Sequence, residues 1–236
     1  MRRKLIIANL KMYLSTTKSI LLAKKIRDTE KSHDVILAPS FTALYSVGPI
    51  VAGAGMSLSA QNMYSQDYGA YTGEISASDL KELGCKYVIL GHSERRKYFK
   101  ETDENVNNKI KQALKYNLTP IICVGENLRE RRSGNAFKTI EGQLKTALKD
   151  ISKKESLIVA YEPIWAIGTG HPEDPKDANG IHGMIKKHFL NNNDKVVYGG
   201  SVNASNYNDF LKQTNIDGLL VGGASTKIDE FSKIIN

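Results

Sequence analysis

Cysteine is scarce in this chain: there are only Cys85 and Cys123. Neither belongs to a CxxC pair, and both sit in apolar, strand-like surroundings. A disulfide framework is excluded, and a reduced, cytoplasmic compartment fits. Both thiols read as buried and structural. Long apolar runs are missing too. No segment approaches the ~20 residues of a membrane span, so no membrane partner is expected. The run in MRRKLIIANLK is too short for a signal peptide core, and Lys11 closes it. No Pro/Gly/Ser-rich linker and no low-complexity stretch divides the sequence. HExxH, a nucleophile elbow and metal-ligand spacing are also lacking.

What remains is ordinary globular composition. Of 236 residues, 41% are hydrophobic and 25% charged, enough apolar content for one large core. The formal net charge is +8. Its basic residues are scattered with acids through helical stretches such as Lys18 to Lys31 and Lys138 to Lys154. They look like solvated helix faces, not a nucleic-acid footprint, although steering of a small anion remains open.

Short apolar runs recur along the chain: KLIIANLK, DVILAPS, SLSAQNM, KYVILGHS, PIICVGE, LIVAYEP, KVVYGGS and LLVGGAS. Helical patterns separate them, for example 19–26 and 106–114. Such alternation implies parallel strands buried on both faces. Eight units point to a closed (β/α)8 barrel, one domain over 1–236, with a doubly wound open sheet as the alternative. The first strand-to-helix turn lacks GxGxxG, which weakens the dinucleotide-binding form of that alternative.

In a barrel, the C-terminal strand ends meet on one face, where active sites are built. Polar residues gather at those ends. In AYEPIWAIGTG (160–170) a buried run ends on Glu162, and Pro163 stops the strand. An apolar stretch with glycines at its far end follows, a form suited to a lid over a basic carboxylate. A lone Glu-Pro would be an ordinary turn. YGGSV and VGGAS place glycine pairs after the last two runs, where backbone N–H groups can approach a phosphate; tight turns are the bland reading. Asn9 and Lys11 end the first run, and on this rim Lys11 can hold an anion. His92 ends the fourth run at a helix start, with Ser93 as N-cap; the helix dipole there favours a neutral imidazole. Glu94 and Arg95 read equally well as helix-end charge. One carboxylate, one histidine, one lysine and a phosphate cradle suit proton abstraction beside a carbonyl. No lysine sits at the sixth or seventh strand end, as a Schiff-base aldolase would need.

At this point a resemblance is plain. ANLKMY (8–13), SAQN (59–62), GAYTGE (69–74), LGHSERR (90–96), AYEPIWAIGTG (160–170), YGGSV (198–202) and VGGAS (221–225) resemble the triosephosphate isomerase family, in its order and near its spacing. The resemblance implies interconversion of dihydroxyacetone phosphate and glyceraldehyde 3-phosphate through an enediolate. It implies Glu162 as base and His92 as neutral electrophile, and this family is itself a worked example of that pairing. It implies Lys11 as electrostatic residue, Asn9 as its support and Glu94 as an accessory acid. Gly168, Ser201, Gly222 and Gly223 match the phosphate-binding backbone, and 163–170 matches the lid. No cofactor and no metal is implied. A homodimer is implied, the third loop near Thr72 entering the neighbour's site.

Two departures stand out. His171-Pro172 follows Gly170 where the family has lysine and a small residue, which bears on lid kinetics. The stretch from Arg129 to Ser152, expected as an outer helix, is short and basic. A different phosphosugar barrel is disfavoured because Lys11, His92 and Glu162 occur together. A non-enzymatic binding protein would be favoured had those three been lost.

Overall fold

The computed structural model describes residues 3–152, 154–168 and 172–236. Eight parallel strands close into a barrel in sequence order: β1 (Leu5–Asn9), β2 (Asp34–Ala38), β3 (Ser57–Ala60), β4 (Cys85–Leu90), β5 (Thr119–Val124), β6 (Ile158–Tyr161), β7 (Lys195–Tyr198) and β8 (Gly218–Val221). Each pairs with its sequence neighbour, and β1 pairs with β8. The architecture is the expected (β/α)8 barrel, and closure leaves no open edge.

Around it run helices α1 (Thr16–Asp28), α2 (Phe41–Ala52), α3 (Ala77–Glu82), α4 (Ser93–Phe99), α5 (Asp103–Lys115), α6 (Leu128–Arg132), α7 (Ala136–Ala147), α8 (Pro175–Phe189), α9 (Tyr207–Leu211) and α10 (Ile228–Ile235). Their starts carry local chemistry. Thr102 and Asn105 form a capping box on α5. Asp174 caps α8, whose first residue is Pro175. The single outer helix expected within 129–152 is two helices. Gly134 has φ +73°, and this left-handed residue ends α6 before α7 begins.

The strands build two cores by alternation. Leu5, Ile7, Ile36, Ala38, Ile89, Ile121, Cys123, Ile158, Ala160, Val197 and Leu220 fill the barrel interior. Their neighbours Ile6, Ala8, Val159 and Tyr161 pack outward with the helices. Both faces of each strand are therefore apolar, which is why the runs read as continuous rather than alternating. The same parity carries past the strand ends. Asn9 continues Leu5 and Ile7, Glu162 continues Ile158 and Ala160, and Gly222 continues Leu220. These positions face the mouth of the barrel. Among the described residues, no helix is long and apolar enough to cross a membrane.

Candidate functional site

A cavity of about 310 Å³ opens at the C-terminal ends of the strands. Asn9, Lys11, His92, Glu162, Gly168, Ser201, Gly222 and Gly223 all line it. Residues from opposite ends of the sequence thus meet, as the barrel reading required. Its size suits a small substrate.

Glu162 lies just beyond β6, and its side chain is only 2% exposed. Its backbone N–H donates to the Val124 carbonyl at 2.7 Å, extending the β5–β6 ladder by one residue. Space for it depends on two glycines. A Cβ on Gly125 would stand 1.7 Å from the Glu162 carbonyl oxygen, and one on Gly199 would stand 2.9 Å from Glu162 Cγ. The carboxylate is held from both sides. The Ser93 backbone N–H donates to Oε2 at 3.0 Å, and His92 Nε2 lies 3.1 Å from Oε1.

His92, not Ser93, is the N-cap of α4; Ser93 is the first helical residue. The ring does the capping, because His92 Nδ1 accepts the Glu94 N–H at 3.2 Å. An accepting Nδ1 carries no proton, so in the neutral ring the hydrogen sits on Nε2, facing Glu162 and the cavity. The imidazole is thereby presented as a donor. The turn before it is pinned: Gly91 has φ +70°, its N–H donates to Glu101 at 3.1 Å, and Arg96 Nε donates to its carbonyl at 2.7 Å.

Lys11 adopts φ 48°, rare for a residue with a Cβ. Its N–H donates to Asn9 Oδ1 at 3.1 Å. Gln61 Nε2 donates to the Lys11 carbonyl at 3.0 Å and the Ala38 carbonyl at 2.9 Å. The sequence reading had SAQN as a motif but gave Gln61 no role; a long amide one residue past β3, on the same rim, is the signal it carried. Lys11 Nζ donates to Glu94 Oε1 at 2.6 Å. Glu94 does not line the cavity; it sits against Lys11 with a side chain 43% exposed.

The glycine loops also line the cavity. Gly222 precedes a 3-10 turn, Gly223–Thr226, in which Ser225 Oγ and N–H both donate to the Gly222 carbonyl. A Cβ on Gly222 would approach Lys11 Cε at 3.4 Å. Gly168, with φ +69°, closes the wall beside Ile167. Thr169, Gly170 and the expected hinge residue His171 lie outside the described residues. Beneath Glu162, burial and then the carboxylate itself hold the Cys123 thiol well above its ordinary range, as suits a structural cysteine. Among the described residues, no group of three or more His, Cys, Asp or Glu could hold a metal ion. The arrangement offers a carboxylate, an imidazole donor and an ammonium, with glycine backbone in the same wall. It can move a proton beside a carbonyl in a small anion.

Comparison with known proteins points the same way. The family model described as triosephosphate isomerase matches residues 4–236. A triosephosphate isomerase of Dictyoglomus thermophilum is 44% identical, covering 100% of this chain and 99% of the relative. One from Trichodesmium erythraeum is 46% identical, again covering 100% and 99%. One from Gloeothece citriformis is 44% identical with the same coverage.

Proposed function

The chain belongs to the triosephosphate isomerase family and is an isomerase; on that premise we propose that it interconverts dihydroxyacetone phosphate and D-glyceraldehyde 3-phosphate through an enediolate, as a cytoplasmic step of glycolysis and gluconeogenesis. The observation that carries the reading is the meeting of Glu162, His92 Nε2 and Lys11 around one small cavity.

In this reading Glu162 removes a proton from the carbon beside the substrate carbonyl. His92 donates a hydrogen bond from Nε2 to that carbonyl, and Lys11 stabilises the negative charge that develops. Glu162 then returns the proton to the neighbouring carbon, while the hydroxyl proton passes from one substrate oxygen to the other by way of His92 Nε2, and the ketose becomes the aldose. Asn9 and Glu94 fix Lys11. Gly168, Ser201, Gly222 and Gly223 hold the phosphate, and the segment after Glu162 excludes water, so that the intermediate keeps its phosphate. No cofactor enters this scheme. The whole chain acts as one domain and pairs as a homodimer, the loop 68–74 with Thr72 entering the neighbour's site; the exposure of every residue of that stretch in the single chain supports this.

The test is a coupled spectrophotometric assay with glyceraldehyde 3-phosphate, run on the wild type and Glu162→Gln. Rapid wild-type turnover, lost in the variant, is the expected result. A folded wild type without turnover would overturn the reading.

A further inference from the structure

Behind β6, on the side away from the cavity, lies a cluster around two buried glutamates, Glu126 and Glu173, that the proposed chemistry does not use. Its centre is Arg131 of α6. The guanidinium pairs with Glu173 Oε1 at 2.6 Å and with Asp177 Oδ2 at 3.0 Å. It also lies over the ring of Trp165, 5.7 Å from the centroid. Trp165 is the chain's one tryptophan and sits in the 3-10 turn Ile164–Ala166, which directly follows Glu162 and Pro163. Its Nε1 donates to Glu126 Oε1 at 2.9 Å, and the Tyr161 hydroxyl donates to the same oxygen at 3.2 Å.

Glu173 is 1% exposed, and among the described residues neither carboxylate oxygen has a hydrogen bond of good geometry, although the Tyr161 hydroxyl is near enough to favour its charged form. Arg131 forms an ion pair with it, while its backbone N–H donates to the Tyr198 hydroxyl at 3.2 Å. A carboxylate this deep normally gathers several donors. Among the described residues its one ion pair is to a guanidinium that is also committed to Asp177 and to the Trp165 ring. The charge of Glu173 therefore bears on where Arg131 rests, and Arg131 packs on the turn that follows Glu162.

We propose that Glu173 is a positioning residue for the isomerisation, acting through Arg131 on the Trp165 turn and so on the Ile167–Gly168 wall of the cavity. The proposal rests on the isomerase reading above. With Glu173 ionised, Arg131 is drawn into the cluster and packs on Trp165. With Glu173 neutral, the guanidinium loses its buried counter-charge and the turn loses its clamp. Burial pushes the Glu173 carboxyl up to about 7, with Glu126 and Asp177 adding to the rise, while Arg131 and the Tyr161 hydroxyl oppose it. These groups and Tyr198 are the titratable neighbours from the end of β5, α8, α6, β6 and β7. The clamp thus changes state near neutral pH.

Trp165 makes the test independent of turnover. Its fluorescence should titrate with a midpoint near pH 7 in the wild type, with unchanged far-ultraviolet circular dichroism, and the transition should vanish in Glu173→Gln. In the coupled assay, the wild-type to Glu173→Gln ratio of kcat/KM should rise from near one at about pH 6 to roughly threefold to tenfold at about pH 8. A carboxylate that merely filled space would leave that ratio flat. Absence of a fluorescence transition in the wild type would overturn the proposal even if the variant fails to fold. An unchanged transition, or a flat ratio, in a folded variant would do the same. A wild type that shows the fluorescence transition but no isomerase activity would count against the isomerase reading instead, leaving the two failures distinct.

Discussion

The mouth of the barrel and the cluster behind β6 each bury a glutamate to nearly the same depth, and treat it in opposite ways. Glu162 receives a backbone N–H and an imidazole, and glycines on both sides leave it room. Among the described residues, Glu173 receives one ion pair and no hydrogen bond of good geometry. The two carboxylates thus differ in the donors that face them, not in their depth. Behind the strand, burial raises the Glu173 carboxyl to about 7 against the pull of Arg131.

The comparison breaks most sharply at Glu162 itself. Glu162→Gln keeps the volume and the Ser93 contact but removes the base, and kcat should fall roughly a thousandfold or more; near-normal turnover would remove Glu162 from the chemistry. Lys11→Met should lower kcat/KM by roughly a hundredfold or more, since an ammonium near developing charge is lost. Equal activity at low and high salt in that variant, matching the wild type, would contradict it. Gly125→Ala puts a methyl group into the backbone of Glu162 and should cost about 3 kcal/mol or more in thermal or urea unfolding. Gly199→Ala meets the movable Cγ instead, so it should cost less stability and more kcat. Reversal of that order would undo the packing account of the mouth.

The smallest effect sharpens the other side. Glu173 holds its proton up to about pH 7 in the folded chain, against 4.5 for the ordinary carboxyl. Between those values the folded state binds the proton that the unfolded chain releases, so stability must fall as pH rises through that window and level off above it. Glu173→Gln has no such proton. Urea midpoints measured at several pH values should show the wild type losing ground to the variant from about pH 4.5 to about 7. A difference that grows in the wild type's favour over that range would reverse the assigned state.

Much of this was legible beforehand because barrel strands announce themselves. Runs such as LIVAY and KVVY are apolar on both faces and stop at Pro163 and at Gly199–Gly200, and their ends name the mouth residues. Glu162, His92 and Lys11 could be placed by that logic before any coordinates. The capping role of the His92 ring could not, because a serine beside a histidine looks like the better cap. The cluster behind β6 was hidden for a different reason. Arg131 reads as one of several basic residues on a solvated outer helix, and Glu173 as a loop acid ahead of a helix start. Their pairing spans 42 residues of sequence and arises only when α6 and the start of α8 close over Trp165. Burial of a charge by distant elements leaves no local pattern to read.

The central claim is that Glu162 takes a proton from carbon and returns one through an enediolate. Nuclear magnetic resonance of the isomerisation of dihydroxyacetone phosphate in D2O tests it most directly. A carboxylate that holds the proton between the two carbons can exchange it with solvent, so the account predicts glyceraldehyde 3-phosphate carrying deuterium at C2. Product formed at full rate with no deuterium on carbon would mean direct hydrogen transfer between the carbons, and would contradict the account.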